Sequence, residues 1–169
     1  MQKTSFFITL EGGEGVGKST QIKLLAEAFR AQGHEVVETR EPGGTLEAEK
    51  IRNLVLKTKE VNWDPLSEAL MMVAARHEHC RKKIFPALAE GKVVICDRFS
   101  DSTLVYQGYA GGLSLDFLHK LMDLVIGAFK PDLTLLFDMP IEASFARVEG
   151  RGAALDHFEG RDQAFHEKL

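Results

Sequence analysis

The chain has 169 residues, of which 44% are hydrophobic, with a formal net charge of -4 and a pI near 5.9. This length and apolar content suffice for one globular domain with a buried core, covering residues 1–169. No block of five or more like charges occurs, so a surface for polymeric DNA or RNA is not expected.

The chain opens with a predicted strand, helix and second strand. Thr4 to Leu10 is an apolar, β-branched and aromatic run that stops at a glycine pair, which favours a strand buried in a parallel sheet. The run is too short to span a membrane and has no signal-peptide cleavage site, so we expect a cytoplasmic protein with no membrane partner. A helix is predicted from Ser19, and Gly33 favours its end before a strand at 35–39.

Further helices and strands alternate along the rest of the chain. Apolar spacing predicts helices at 46–57 and 65–90, the second disturbed near Pro86 and closed by Gly91. The later predicted elements are a strand at 92–96, helices at 102–109 and 114–126, a strand at 132–137 and a helix from Pro140. This alternation predicts an α/β fold, with a parallel sheet, helices on both faces and right-handed crossovers. The chain stops at Leu169 inside a predicted helix, so we expect a truncated C-terminus that lacks the last strand.

A phosphate-binding motif follows the first strand. The run GGEGVGKS fits GxxxxGK[ST] and lies between a predicted strand and a helix, as the motif requires. Its glycines let successive N–H groups point at an anion, and the helix adds its positive dipole end. Lys18 would reach the β- and γ-phosphates and the Ser19 hydroxyl would hold Mg²⁺, so the predicted ligand is ATP or GTP with magnesium. The predicted nucleotide-binding residues are Gly12, Gly13, Glu14, Gly15, Val16, Gly17, Lys18, Ser19 and Thr20.

The rest of the sequence narrows the class of phosphate-binding protein. A regulatory GTPase needs an NKxD segment, and the sequence has none. A small-molecule kinase instead needs cations that hold an acceptor phosphate against the donor. Candidate charged side chains lie after the predicted strands, where ligands gather in open α/β sheets, and in the helices beyond. They are Arg40, Arg76, Asp97, Arg98, Arg147, Arg151 and Arg161.

Several segments form a larger pattern that covers nearly the whole chain. They are GGEGVGKST at 12–20, TREPGGT at 39–45, AAR at 74–76, DRFSDSTLVYQG at 97–108 and an arginine-containing stretch at 147–158. In this order and spacing they resemble the thymidylate kinase family, of the bacterial kind. The resemblance implies a P-loop NTPase fold with a five-stranded parallel sheet and a lid, here at about 147–160. It also implies a homodimer that phosphorylates dTMP to dTDP with ATP and Mg²⁺.

The resemblance assigns roles to residues near the acceptor phosphate. Arg98 would bind that phosphate bidentately, the alternative being a surface salt bridge. Asp97 would position Arg98, magnesium or water, or else act as a helix-cap carboxylate. Glu11 would assist the metal or the acceptor sugar, or be an ordinary loop carboxylate. Glu41 and Pro42 would shape the loop that approaches the acceptor.

Other residues are assigned to the thymine base. In the family, the arginine that matches Arg76 hydrogen-bonds the thymine ring, and an aromatic residue often stacks on the ring at the position of Met72. Thr103, Tyr106 and Gln107 share a helix face and would line the base and sugar, unless they form a solvated polar cluster. The predicted substrate-binding residues are Glu11, Glu41, Pro42, Met72, Arg76, Arg98, Ser102, Thr103, Tyr106 and Gln107.

A lid arginine completes the predicted catalytic set. The phosphate loop carries Glu14 and no arginine, so by the family's logic the cation that stabilises the transferring phosphoryl group comes from the lid. Arg151, between two glycines, is the first candidate and Arg147 the second, although lid arginines also serve solubility. The predicted catalytic residues are Lys18, Asp97, Arg98, Arg147 and Arg151.

Cysteines and histidines show no ligand spacing. Cys80 and Cys96 are far apart and are interpreted as structural residues. The histidines at 77, 79, 119, 157 and 166 are interpreted as solvated or capping residues.

Two other functions stay open at this point. One is another nucleoside monophosphate kinase, for uridylate or guanylate, and the other is a non-enzymatic nucleotide-dependent switch.

Overall fold

The structure is a computed structural model that describes residues 5–58, 61–150, 158, 165–166 and 169, and only the backbone of Glu149. Its strands are β1 (Phe6–Gly12), β2 (Val36–Arg40), β3 (Val93–Asp97) and β4 (Leu133–Phe137). Its α-helices are α1 (Lys18–Ala31), α2 (Leu46–Lys57), α3 (Pro65–His79), α4 (Phe85–Ala89), α5 (Ser100–Thr103), α6 (Leu115–Ile126) and α7 (Ile141–Glu149). Two π-helical segments, π1 (Cys80–Ile84) and π2 (Leu104–Ala110), follow α3 and α5. The predicted alternation of strands and helices is confirmed.

The long helix predicted at 65–90 changes its hydrogen bonding before Pro86. At Cys80 the α-helical turns give way to wider π turns, and the N–H of Phe85 donates to the carbonyl of Cys80, five residues back. Proline has no N–H, so Pro86 cannot make the α-helical bond to the carbonyl four residues earlier. The disturbance predicted at Pro86 is therefore a π segment that ends just before it.

The strands form one parallel sheet in the order β2-β3-β1-β4. Five strands were implied by the family resemblance, and the described residues form four of them. Leu10 of β1 is in register with Asp97 of β3, which is in register with Arg40 of β2. After β1 the chain continues to β2 on one side of the sheet, and after β3 it continues to β4 on the other side. The carboxyl ends of β1 and β3 therefore form a topological switch point. Ligands bind at such points in open α/β sheets.

The two central strands are buried on both faces. In β1 and β3, alternating residues point to opposite sides of the sheet, as the pleat requires. Phe7, Val94 and Cys96 belong to one core cluster, and Leu10 and Ile95 belong to the other. This double burial explains why both strands read as continuous apolar runs.

Both cysteines are buried and free, in agreement with a structural role. Burial raises the pKa of both the Cys80 and the Cys96 thiol. Within the part of the chain that the structure describes, no helix combines the length and the apolar character that a membrane crossing needs.

Candidate functional site

A cavity of about 520 Å³ opens at the carboxyl ends of the parallel strands. One wall is the loop between β1 and α1. The opposite wall comes from the loop after β2 and from α3, and the segment from Asp97 through π2 closes the third side. Most of the motif and all of the predicted substrate-binding residues except Glu11 therefore face one space.

The loop between β1 and α1 has a backbone that only glycine adopts easily. Gly12, Gly15 and Gly17 have φ angles of 136°, 72° and 102°. A Cβ on Gly12 would collide with the carbonyl oxygen of Phe137, and one on Gly15 would lie 2.7 Å from that of Ser144. The loop thus fits closely against the end of β4 and against α7. Residues Glu14 to Thr20 of the predicted set line the cavity.

Lys18 is the buried cation of this loop. Its Nζ donates to the carbonyl oxygens of Gly12 at 2.9 Å and Gly13 at 2.6 Å. Burial, together with the nearby charge of Arg98, lowers the pKa of Lys18 to about 8. Lys18 also begins α1, and its N-cap Gly17 supplies no side-chain cap, so this helix end is suited to an anion.

Ser19 and Asp97 meet across the cavity floor. The Ser19 hydroxyl donates to Oδ2 of Asp97 at 3.3 Å. Oδ1 of Asp97 is buried and has no hydrogen-bond partner among the described residues. A hydroxyl beside an unsatisfied carboxylate oxygen fits Mg²⁺, which binds through one or two protein oxygens plus phosphates. No group of three or more His, Cys, Asp or Glu that could hold a metal occurs in the described part of the chain, and such a site does not need one.

Arg98 is a fixed cation beside the loop. Its φ of 68° is unusual for a bulky residue, and such strain often marks a functional position. The guanidinium pairs with Glu14, donates to the Ser102 hydroxyl at 3.1 Å and lies 5.1 Å from the centre of the Tyr106 ring. Burial opposes its charge, but Tyr106 and Glu14 outweigh that effect and raise the pKa of Arg98. Its positive charge is therefore permanent.

Glu11 lies behind Arg98. Its carboxylate accepts from the backbone N–H of Phe99 and from the Ser102 hydroxyl, both at 2.7 Å. Burial raises the pKa of Glu11. In this position the carboxylate braces the turn that carries Arg98, a contact that the sequence pattern does not indicate.

Arg76 is held on three sides at the far end of the cavity and is 4% exposed. Its Nε donates to Oε2 of Glu41 at 2.7 Å, and its terminal nitrogens donate to the Thr103 hydroxyl at 3.0 Å and to the Phe99 carbonyl at 2.9 Å. These bonds use three of its five N–H groups. Arg76 also lines the cavity, so its guanidinium is oriented in a fixed way toward a ligand there.

The residues predicted to line a base lie around Arg76. Thr103, Tyr106 and Gln107 are buried and face the cavity, so they are not a solvated cluster. The Gln107 amide donates to Glu68 at 2.6 Å. Met72 lies on α3, one turn before Arg76, and is also buried and lines the cavity. Wide π turns carry Tyr106 and Gln107, and turns of this kind are frequent at functional sites.

The interpretation of His79 as a solvated or capping residue is wrong. His79 is 0% exposed and hydrogen-bonds to Thr39 and Glu41, whereas His77 and His119 are exposed as expected. Arg76 and His79 are three residues apart, so both lie on the buried face of α3. The apolar residues Ala69, Met72 and Val73 lie on the same helix face and indicate in the sequence that this face is buried.

The predicted lid is only partly described. Arg147 in α7 donates to the Gly15 carbonyl at 3.4 Å, and the Ser144 hydroxyl donates to the Glu14 carbonyl, so α7 rests on the phosphate loop. Arg151, Arg161 and His157 lie outside the described residues.

Some cavity residues were not singled out from the sequence. Arg52 of α2 donates to the Pro42 carbonyl at 2.8 Å, and the Phe158 ring packs 4.9 Å from that of Tyr106. Phe99 has no role that the sequence pattern indicates, yet its carbonyl accepts from Arg76 and its N–H donates to Glu11. Nothing in the local pattern separates Arg52 from a surface arginine.

Comparisons with known proteins point to one family over most of the chain. The sequence model of the family described as Thymidylate kinase matches residues 10–169. A thymidylate kinase of Gluconobacter oxydans is 51% identical over 174 residues, covering 100% of this chain and 79% of that protein. One of Pseudomonas fluorescens is 53% identical over 166 residues, covering 98% and 79%. The crystal structure of thymidylate kinase from Ehrlichia chaffeensis matches with a TM-score of 0.75 and 46% identity, covering 87% of this chain and 83% of that one.

Proposed function

The chain belongs to the thymidylate kinase family, and we propose that the cavity between the phosphate loop and Arg76 is where it binds both of its substrates. It is a kinase with a P-loop NTPase fold that phosphorylates dTMP to dTDP with ATP, a reaction of nucleotide biosynthesis. One observation carries the site proposal. The phosphate loop, Arg98 and Arg76 line the same cavity, so a donor phosphate, an acceptor phosphate and a base can be held together.

The donor side is built for the phosphates of ATP. The glycine loop and the start of α1 would bind the β- and γ-phosphates through backbone N–H groups, with Lys18 as the adjacent cation. Ser19 and Asp97 would hold Mg²⁺. When bound, the ion neutralises charge on the phosphate oxygens.

The acceptor side is built for a pyrimidine nucleotide. Arg98 would bind the dTMP phosphate, since a guanidinium matches phosphate bidentately and stays charged. Arg76 would donate to the base with the N–H groups that its described contacts leave over. Thr103, Tyr106 and Gln107 would surround the base and sugar.

The reaction needs no protein nucleophile, because it depends on the positions of the two substrates and on cations that stabilise the charge of their phosphates. An oxygen of the dTMP phosphate forms a bond to the γ-phosphorus while the bond from that phosphorus to the bridging oxygen of ADP breaks. Lys18 and Arg98 oppose the repulsion between the two polyanions. Arg147, whose helix already contacts the loop, and Arg151 would add charge stabilisation from the lid and exclude water.

Product analysis with and without magnesium tests this proposal. Incubation with ATP, dTMP and Mg²⁺ should yield dTDP and ADP in equal amounts, as measured by liquid chromatography. A chelator should abolish both products, and excess Mg²⁺ should restore them, because the donor site is completed by the ion. Release of ADP without dTDP would contradict the proposal and favour a hydrolase or a nucleotide-dependent switch.

We also propose that the kinase is a cytoplasmic homodimer, in which α3 and α6 face a second copy of the chain. These helices contact each other, and both carry large exposed apolar side chains. Leu66 and Leu70 lie on α3, and Phe117 and Leu124 lie on α6, with Leu124 84% exposed. Exposed apolar side chains on adjoining helices favour association.

Charge placed on this surface should produce monomers. Leu70→Glu combined with Leu124→Glu should halve the mass measured by sedimentation, because a buried carboxylate without a partner opposes association. Leu24→Glu, at an exposed leucine of α1, is the matched control and should leave the dimer intact. A monomeric wild-type chain, or an equal effect of Leu24→Glu, would refute this interface.

A further inference from the structure

His79 connects the core to the cavity wall without lining the cavity itself. Its ring is fully buried at the end of α3, and both nitrogens have partners. Nε2 lies 2.6 Å from the Thr39 hydroxyl of β2, and Nδ1 lies 3.0 Å from Oε1 of Glu41. An ionised carboxylate only accepts, so Nδ1 carries the proton and donates to Glu41.

Glu41 passes this constraint to Arg76. Its second oxygen, Oε2, accepts from Nε of Arg76 at 2.7 Å. The two oxygens of one buried carboxylate are thus held by His79 on one side and by Arg76 on the other. A carboxylate fixed at both oxygens cannot rotate, so it restrains the guanidinium that it binds.

The loop after β2 also rests on His79. Gly44 has a φ of 86°, and a Cβ there would lie 2.5 Å from Nε2 of His79 and 2.6 Å from the Thr39 hydroxyl oxygen. The backbone of this loop therefore packs directly on the imidazole. The ring supports Glu41 both by a hydrogen bond and by the position of its loop.

We propose that His79 is a positioning residue that fixes Glu41 and, through it, the orientation in which Arg76 meets the acceptor base. The inference rests on the proposed function, because it assumes that dTMP occupies the cavity beside Arg76. Loss of the imidazole frees one oxygen of Glu41 to turn away, so Arg76 keeps its bonds to Thr103 and Phe99 but loses the fixed partner of its Nε. The donor site on the opposite wall, with Lys18 and Ser19, stays as it was.

Steady-state kinetics of two substitutions test the inference. His79→Leu removes both hydrogen bonds and should raise KM for dTMP by about 10-fold or more, with kcat and KM for ATP changed by less than about 3-fold. His79→Asn keeps an amide donor close to the position of Nδ1 and should recover most of the affinity. His119→Leu, the same change at an exposed position of α6, is the control. Equal rises in KM for ATP and dTMP would overturn the proposal, because they indicate a general structural defect.

A double-mutant cycle shows whether His79 acts through Arg76. In an Arg76→Ala background, His79→Leu should have no further effect on KM for dTMP, since the group that it orients is gone. An undiminished effect in that background would overturn the proposal. If His79→Leu does not fold, Thr39→Val loosens the same ring from its outer side, and an expected rise of about 3-fold in KM takes its place. An unaltered KM in Thr39→Val would then count against the inference.

The proposed function and the role of His79 can be refuted separately. A wild-type chain that forms no dTDP refutes the proposed function and this inference together. A wild-type chain that forms dTDP, with an unaltered KM in His79→Leu, refutes only the role of His79.

Discussion

Lys18→Ala is expected to lower the turnover of dTDP formation by about 10²-fold to 10³-fold or more, the size found when one preorganised charge donor is removed from an active site. The amine is buried beside the phosphate loop, where the local dielectric is low and its charge acts strongly on phosphate oxygens. Steady-state assays of dTDP formation at saturating ATP measure this loss of turnover.

The loss should not come from unfolding. The pKa of Lys18 is about 8 in the fold against 10.5 for an ordinary lysine, so at pH 7 its charge is less favourable in the folded chain than in the unfolded one. The alanine variant should therefore melt no lower than wild type on this account. Lys23→Ala, on the exposed side of the same helix, is the matched control and should keep full activity. Near-normal turnover in Lys18→Ala would refute the assigned role.

Arg98→Ala is expected to reduce kcat/KM for dTMP by about 10²-fold to 10³-fold, because the acceptor phosphate would lose the cation that is proposed to bind it. Its φ of 68° is no harder for alanine than for arginine, so the backbone turn itself should persist. Arg98→Lys should recover only part of the activity, since an ammonium is a point charge that cannot bind phosphate bidentately.

The kinetic pattern separates this role from a salt bridge with Glu14. As a surface salt bridge, Arg98 would contribute to stability and leave KM for dTMP unaltered. As the acceptor clamp, it controls KM and kcat together while the binding of ATP is kept. Arg81→Ala, an exposed arginine of π1, is the control. Wild-type kcat/KM in Arg98→Ala would contradict the clamp.

The α/β architecture could be predicted because its signals are local. Continuous apolar runs are typical of strands buried on both faces, and β1 and β3 have that environment. The phosphate loop could be predicted for a similar reason, since the glycines that its backbone requires are adjacent in the chain. The helix predicted at 114–126 is confirmed as α6, and the Ser114 hydroxyl caps it by accepting from the N–H of Phe117.

The parts that were not predicted depend on tertiary contacts. The π turns at π1 and π2 have no distinct residue pattern, because they arise where packing shifts the hydrogen-bond register. His79 continues the buried stripe of α3, but its neighbours in the chain are polar and typical of a solvated helix end. Its burial depends on Thr39 and Glu41, which are 40 and 38 positions away. Glu11 likewise braces Arg98 through residues far along the chain.

The central claim is that the cavity selects dTMP as the phosphoryl acceptor. The most direct test is the rate of magnesium-dependent ADP release from ATP with dTMP, dUMP, UMP, GMP or no acceptor, measured in parallel. We expect release chiefly with dTMP, and little without an acceptor because the proposed lid contacts would exclude water from the site. Equal release with every acceptor, or undiminished release with none, would contradict the account.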